Sequence, residues 1–322
     1  MARLEHPRPL DPQVADLVAR IRRANRPPYW QHPPQAARLF HEKASKVLEI
    51  AAAEVAQVRD LEIPVGAGRI GARLYTGMDA PEPAPLLVFA HGGGFTVGSV
   101  EGYDAVCRML ANGARCKVLS IGYRLAPEYR FPTAADDVYG AWRWAFDKHA
   151  MLGVDPARIA GMGDSAGGTL TAQAALRARD DRLPLAAQVL LYPGTCAWQD
   201  TPSHETYAAG YLLDARTIQW FFNLYLRDDA DRLDWRFAPL DAPEFAGAAP
   251  VLLQLAECDP LVDEGRAYGD KLRAAGVPVT CRLYQGTTHG FYNMGGALRV
   301  ARHAQHETVD YLRAVFGTSK ST

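Results

Sequence analysis

The chain has 322 residues, of which 48% are apolar, 22% charged and 10% aromatic, and its 35 basic and 36 acidic residues leave a formal net charge of −1. A chain of this length buries roughly 75% of its extended surface, so we expect one large domain, or one domain with an appendage. The balanced charge argues against nucleic acid as a partner, and apolar runs such as 86–90 are far shorter than the ~18 residues needed for stable membrane insertion.

The N-terminal segment and the cysteines bear on localisation. Residues 1–13 contain charges and prolines but no apolar segment, so no secretory leader is expected. The five cysteines are odd in number and have no CxxC spacing, which favours reduced structural thiols over a disulfide framework or a zinc site. We therefore predict a cytoplasmic protein.

Two helices are predicted in residues 1–55. Asp11 can cap the first helix, and the proline-rich stretch 26–35 ends it. Apolar residues recur at helical spacing in both helices, among them Ile21 in the first and Val47 in the second. Because neither helix can form a core alone, we expect them to lie over the rest of the molecule as the N-terminal part of a cap.

From residue 56 the pattern changes to alternating strands and helices. Two strands, 58–64 and 69–76, come first. The later strands are short apolar runs, typical of a sheet buried on both faces, and they are predicted at 86–90, 117–123, 158–162, 187–192, 250–256 and 278–284. Helices are predicted at 103–114, 133–149, 166–179, 263–275 and 297–316. This order predicts an α/β fold with about eight strands in a mostly parallel sheet flanked by helices.

Residues 195–245 interrupt this alternation with an aromatic helical stretch and an Asp-rich loop. An insertion of this size between two strands predicts a second cap segment, partnered by the helices of residues 1–55. It divides the core that we expect to carry the chemistry into residues 56–194 and 246–322.

The strongest chemical signal is GDSAGG at residues 163–168, which contains the pattern GxSxG between a predicted strand and a predicted helix. This is the context of a nucleophile elbow, in which the serine stands on a sharp turn and needs small neighbours. Ser165 would lie at the start of the helix, where the helix dipole favours a developing anion. A purely structural turn is the weaker interpretation in this context.

A second signal is HGGGF at residues 91–95, directly after the strand 86–90. Glycines at the end of a strand expose amide groups, which acyl transfer needs where the tetrahedral oxygen becomes negative. Without the elbow, a structural glycine loop would be the better interpretation.

A serine nucleophile of this kind is followed in the chain by an acid and then a histidine base. His289, in a loop just after the strand 278–284, is the preferred base. His204 lies in the second cap segment, and His303 and His306 lie on a terminal helix where we expect them to face solvent.

The preferred acid is Asp259, which lies just past the end of the strand 250–256. Carboxyl ends of parallel strands are where α/β sheets place their ligand sites. Glu257 and Asp263 are near alternatives for the same role.

Three other patterns carry weaker signals. GxGxxG at residues 66–71 leads into a strand rather than a helix, so it lacks the context of a dinucleotide site. His303 and His306 are one turn apart without the HExxH pattern of a zinc enzyme, and we assign Asp136 and Asp137 to helix capping or loop support. We expect neither an organic cofactor nor a metal.

Several motifs recur together in one order: HGGGF, YRLAPE (123–128), FPTAADD (131–137), GDSAGG, CDPLVDE (258–264) and HGF (289–291). Over about residues 60–316 they resemble the hormone-sensitive-lipase-like bacterial esterases, in the branch that has Asp before the serine. The resemblance implies the α/β-hydrolase fold with a helical cap, and a carboxylesterase that hydrolyses small-molecule esters.

The resemblance also implies roles for individual residues. It implies a catalytic triad of Ser165, Asp259 and His289, and a supporting role for Asp263 at the acid–base loop. It further implies an oxyanion hole made by the amides of Gly93, Gly94 and Ala166.

Substrate choice is expected to lie in the cap and the neighbouring loops. The candidate pocket residues are aromatic or apolar, namely Phe95, Tyr29, Trp30, Tyr211, Leu212, Phe222, Leu261, Val262 and Phe291. A capped apolar cleft suits short- to medium-chain acyl esters. The alternatives are an amidase, lactonase, deacetylase or acyltransferase on the same triad, and a ligand-binding protein on this fold. Because the family often dimerises, a homodimer through the edge strand 278–284 is a further expectation.

Overall fold

A computed structural model describes residues 7–66 and 68–319. The first six residues, where no secretory leader was predicted, lie outside the described residues. Eight strands form one sheet in the order β1-β2-β4-β3-β5-β6-β7-β8. Their bounds are β1 Gln57–Val65, β2 Gly68–Thr76, β3 Ala84–Ala90, β4 Lys117–Gly122, β5 Val154–Asp164, β6 Leu185–Leu191, β7 Val251–Cys258 and β8 Val279–Thr288.

Strand direction places the ends of the central strands together. β2 pairs antiparallel with β1 and β4, and the other neighbours pair parallel. Every residue of β3 is buried, which explains its unbroken apolar sequence. The carboxyl ends of β3, β5, β7 and β8 therefore meet at one edge of the sheet. The predicted α/β class and the mostly parallel sheet of eight strands are confirmed.

Helices cover both faces of the sheet. In the described residues the α-helices are α1 Pro12–Arg23, α2 Pro34–Leu48, α3 Asp104–Ala114, α4 Thr133–Asp147, α5 His149–Leu152, α6 Ala166–Asp180, α7 Pro202–Thr206, α8 Ala215–Tyr225, α9 Val262–Ala274 and α10 Arg299–Phe316. α4, α6 and α9 pack on one face, and α3 and α10 pack on the other. No helix in the described ranges has the length and hydropathy that a membrane crossing requires.

The N-terminal helices begin as the sequence predicts but pack differently along their length. Asp11 caps α1, since its Oδ1 accepts hydrogen bonds from the amides of Gln13 and Val14. The expectation that Ile21 and Val47 pack against the molecule is wrong, because they are 41% and 79% exposed. Both residues border an open cavity between the helices, so their apolar surface faces that cavity rather than a core.

Residues 195–245 supply both cavity wall and core. α7 and α8 lie in this segment, and the part that follows α8 returns to the sheet's helical layer. There Phe245 packs edge-on against Tyr268 of α9, with 5.7 Å between the ring centroids. The end of the segment is therefore part of the core packing.

Candidate active site

The turn between β5 and α6 holds Ser165 in a strained conformation. Its φ of 53° and ψ of −122° lie outside the regions that residues with a Cβ favour. A Cβ on Gly163 would lie 2.2 Å from the carbonyl oxygen of Gly167, and one on Gly167 would lie 2.1 Å from that of Ala90. The glycines of GDSAGG therefore let the strand and the helix approach closely enough to form the sharp turn.

Ser165, His289 and Asp259 are in hydrogen-bonding contact. Ser165 Oγ lies 2.8 Å from His289 Nε2, and His289 Nδ1 lies 2.7 Å from Asp259 Oδ2. Because a carboxylate only accepts, Nδ1–H donates to Asp259, and Nε2 is free to accept the Ser165 proton. Asp259 is fully buried, and its Oδ1 accepts a hydrogen bond from the amide of Leu261. Three residues from separate parts of the chain thus form one connected line.

The two alternative acids make hydrogen bonds with other partners than His289. Glu257 Oε2 accepts a hydrogen bond from the amide of Gly286, 2.8 Å away. Asp263 Oδ2 accepts one from the amide of Ser203 at 2.9 Å, and Ser203 Oγ donates to the carbonyl of Pro260 beside the acid. Asp263 therefore links α7 to the loop that carries Asp259.

The other histidines also lie away from Ser165. His303 and His306 are exposed on α10, as expected. His204 is buried in α7, where its Nε2 lies 3.9 Å from a carboxylate oxygen of Glu264. The structure thus brings only His289 to Ser165 among the histidines considered above.

The glycine loop after β3 lines the same cavity as Ser165. Gly93 and Gly94 have φ values of 114° and 57°, which favour glycine. A Cβ on Gly94 would lie 2.2 Å from the ring of Phe221 in α8, so the loop packs directly beneath that helix. The two glycines and Ala166, the first residue of α6, all border the cavity.

Asp164 connects the glycine loop, the elbow and the loop after His289. Its Oδ1 accepts a hydrogen bond from the amide of Gly92 at 2.7 Å. Its Oδ2 accepts hydrogen bonds from Tyr103 Oη at 2.9 Å and Asn293 Nδ2 at 3.0 Å. Burial raises the pKa of this carboxyl to about 6. Sequence reasoning assigned Asp164 no role, although its place in GDSAGG was a signal.

A cavity of about 880 Å³ opens above Ser165. Residues of α1, α2 and the segment 210–222 line it together with the glycine loop. The predicted pocket residues that border it are Tyr29, Phe95, Leu212, Phe222 and Leu261. Its size falls within the roughly 300–1,000 Å³ typical of small-molecule sites.

Four predicted pocket residues do not line the cavity. Val262 and Phe291 are buried in core clusters on opposite faces of the sheet. Tyr211 packs edge-on against Tyr207, 4.9 Å between centroids, and Trp30 lies under the guanidinium of Arg216. Proximity in sequence to Asp259, to His289 or to the helices above the cavity did not determine the direction of these side chains. The expectation that they form the pocket wall is wrong.

Arg38 on α2 joins the cap region to the site, and sequence reasoning missed it. Its Nε donates to the carbonyl of Thr96 at 2.9 Å, and its Nη2 donates to that of Ala126 at 2.8 Å. The guanidinium also pairs with Glu128 of YRLAPE. No local pattern signals these contacts, because Arg38 is 58 residues from Thr96.

The sequence and the fold of this chain are similar to those of known proteins. The sequence profile of a family described as alpha/beta hydrolase fold matches residues 87–293. The chain belongs to this family, in its hormone-sensitive-lipase-like branch. It is 42% identical over 270 residues to an ethyl acetate hydrolase of Pseudomonas putida, covering 82% of this chain and 85% of that protein. It is 35% identical to an arylesterase of Saccharolobus solfataricus, covering 88% and 92%.

Solved structures of esterases are similar to the structure of this chain over nearly its whole length. An ester hydrolase from the metagenome of Lake Arreo, complexed with a derivative of bipyridine phosphonate, matches with a TM-score of 0.93 and 38% identity, covering 96% of this chain and 99% of that chain. A hyperthermophilic esterase from the archaeon Pyrobaculum calidifontis matches with a TM-score of 0.90 and 36% identity, covering 95% and 98%. These similarities make the present chain a carboxylic ester hydrolase that acts on small-molecule esters.

Proposed function

We propose that this esterase hydrolyses short- to medium-chain acyl esters through a Ser165–His289–Asp259 triad and an acyl-enzyme intermediate. The observation that carries the proposal is the continuous contact from Ser165 Oγ to His289 (2.8 Å) and from His289 to Asp259 (2.7 Å). This is the arrangement that activates a serine hydroxyl, whose own pKa is too high for it to attack an ester at neutral pH.

The reaction follows from these contacts. His289 Nε2 takes the proton of Ser165 Oγ as the oxygen attacks the ester carbonyl, and buried Asp259 stabilises the imidazolium that forms. The amides of Gly93, Gly94 and Ala166 stabilise the tetrahedral oxyanion. His289 then gives its proton to the departing alcohol. His289 then deprotonates a water molecule, which attacks the carbonyl of the acyl-enzyme, and His289 returns that proton to Ser165 Oγ as the acid leaves.

The cavity supports the proposed substrate size. Its apolar lining, which includes Leu212, Phe222 and Leu261, can desolvate an acyl chain beside Ser165. We propose that α1, α2 and the part of segment 195–245 that borders the cavity act as the cap. A cavity of this volume holds a chain of a few carbons more readily than a long triglyceride chain.

The first test is Ser165→Ala measured on a chain-length series of p-nitrophenyl esters. Loss of the nucleophile lowers turnover about a millionfold, as for other serine triads, while the folded structure is retained. We expect butyrate and hexanoate esters to give the highest kcat/KM in the wild type. Ser120→Ala, which removes a serine hydroxyl of β4 that does not line the cavity, is the matched control and keeps the nucleophile. Faster turnover of a long-chain triglyceride would contradict the proposed substrate size.

The rival functions differ in measurable ways. A panel of esters, amides and lactones compared by kcat/KM separates an esterase from an amidase, lactonase, deacetylase or acyltransferase on the same residues. A fluorophosphonate probe should label the folded protein at Ser165. Failure of that labelling would favour a ligand-binding protein.

A further inference from the structure

A cysteine, a histidine and a glutamate meet at the side of the active-site cavity. A ligand atom of each of Cys196, His204 and Glu264 lies within 4.8 Å of the others. His204 and Glu264 are buried, at 5% and 2% exposure, and Cys196 is half-buried. Cys196 and Glu264 also line the cavity that holds Ser165. The proposed ester hydrolysis uses none of the three.

In the part of the chain that the structure describes, Glu264 is a buried carboxylate without a lysine or arginine partner. Among the described residues, its ion-pair contact is with His204, where Nε2 lies 3.9 Å from Oε1. Its Oε2 accepts hydrogen bonds from the amides of Thr195 at 3.1 Å and Cys196 at 2.6 Å. Buried carboxylates are normally paired with a cation or bound to a metal ion. The Oε1 side of Glu264 is therefore where a cation would be stabilised.

The imidazole of His204 is oriented for a ligand. Its Nδ1 hydrogen-bonds to Thr201 Oγ1 at 2.8 Å, which leaves Nε2 directed at the Glu264 carboxylate. Histidines that bind metals are held in this way, through a hydrogen bond at the second ring nitrogen that fixes the ring orientation. The polar contacts around His204 thus fit a metal ligand.

We propose that Cys196, His204 and Glu264 bind one Zn²⁺ ion. The ligand atoms are Cys196 Sγ, His204 Nε2 and Glu264 Oε1. Zinc accepts sulfur, nitrogen and oxygen ligands together, at about 2.0–2.3 Å, so small side-chain rotations bring the three atoms to one ion. On binding, the thiol proton passes to solvent, and the thiolate and the carboxylate balance the charge of the ion. A fourth position stays open on the cavity side, as in other three-ligand zinc sites.

The spacing of these ligands explains why the sequence indicated no zinc site. The intervals are 8 residues from Cys196 to His204 (204 − 196) and 60 from His204 to Glu264 (264 − 204). Zinc motifs that can be recognised in sequence have closer pairs, such as CxxC or HExxH. Here α7 and α9 bring the ligands together only in the folded chain.

Cobalt titration tests the site directly. The full-length protein, stripped with a chelator, is titrated with Co²⁺ and then with Zn²⁺. We expect saturable uptake of one Co²⁺ per chain, a sulfur-to-cobalt charge-transfer absorption, and displacement of that absorption by Zn²⁺. Cys196→Ser should abolish the charge-transfer band. Thr201→Val keeps all three ligands but loses the histidine's hydrogen bond, and should weaken Zn²⁺ binding about tenfold.

Two variants outside the cluster serve as matched controls. Cys281→Ser removes another half-buried thiol, and His303→Gln removes an exposed histidine. Both should bind Co²⁺ with the wild-type spectrum. Absence of saturable uptake by the wild type, or an unchanged spectrum in Cys196→Ser, would overturn the proposal. Circular dichroism and thermal unfolding confirm that each variant is folded, and if Cys196→Ser fails to fold, Thr201→Val carries the test. Because the readout is metal binding, the result does not depend on the ester reaction.

Discussion

The carboxylate of Asp164 accepts hydrogen bonds from groups at three distant positions in the chain. Gly92 belongs to the glycine loop, Tyr103 precedes α3, and Asn293 follows His289 by four residues. A buried carboxylate that accepts several hydrogen bonds fixes the relative positions of its donors. Asp164 thus fixes the glycine loop relative to the loop that follows His289.

Asp164 should also make stability depend on pH. Its folded pKa of about 6 exceeds the ordinary value of 3.8. Between these values the native protein holds a proton that the unfolded chain has lost, so stability falls as pH rises. We expect the wild type to lose about 3 kcal/mol in the free energy of unfolding, relative to Asp164→Asn, between about pH 4 and pH 7. Urea unfolding of both proteins across this range measures it.

Asp60 provides a control of opposite sign. The hydrogen bond from Arg73 lowers the pKa of its exposed carboxyl. The stabilisation is present at neutral pH and is lost as pH falls through the folded pKa, so Asp60→Asn should differ from the wild type least in acid. A difference between wild type and Asp164→Asn that does not change with pH would refute the role assigned to burial.

The helix α2 is attached to the site mainly through Arg38, and Gln35 Nε2 donates a further hydrogen bond to Glu128. Arg38 donates to carbonyls in the glycine loop and the YRLAPE loop, and pairs with Glu128. Hydrogen bonds from a charged group contribute roughly 1.5–3 kcal/mol each to stability. These contacts hold α2 against the two loops. The residues that they join are up to about ninety positions apart in the chain.

Removing this attachment should lower activity. Arg38→Met keeps an unbranched apolar stem, shorter than that of arginine, and loses all the hydrogen bonds of the guanidinium. We expect kcat/KM for a butyrate ester to fall about tenfold, equivalent to ~1.4 kcal/mol, because the glycine loop loses a contact at Thr96. Lys46→Met on the same helix is the control, since Lys46 forms an exposed pair with Glu42 that contributes little. Equal effects of the two substitutions would argue against a positioning role for Arg38.

A residue of this site could be predicted from the sequence when neighbouring residues determine its position, and could not when contacts between distant elements do. Ser165 was predictable because the strand, the turn and the helix around it are coded in adjacent residues. His289 and Asp259 were predictable because parallel strands end at one edge, so residues just past two strands converge there. Arg38 and Glu264 were not, since their partners are set by packing between elements distant in the chain. The side-chain direction of Tyr211 could not be predicted for the same reason.

The sheet has two edge strands, β1 and β8, and β8 is partly open along its first half. Its C-terminal end is covered, because the amide of Asp11 donates to the carbonyl of Gly286. Residues 279–283 are half-buried or exposed and pair only with β7 among the described strands. Unpaired edge groups are a ready surface for pairing with another chain. The expected homodimer would form here, with β8 of one protomer beside β8 of its partner.

A proline can test this edge without breaking the sheet. The carbonyl of Pro278 accepts a hydrogen bond from the amide of Val251 in β7, so residues at even positions of this stretch face β7 and Cys281 faces outward. Cys281→Pro removes an outward amide that a partner strand would need. We expect light scattering after gel filtration to give a dimer for the wild type and for Cys281→Ser, which keeps the amide, but a monomer for Cys281→Pro. A dimer that survives the proline would place the interface elsewhere, and a monomeric wild type would exclude edge pairing altogether.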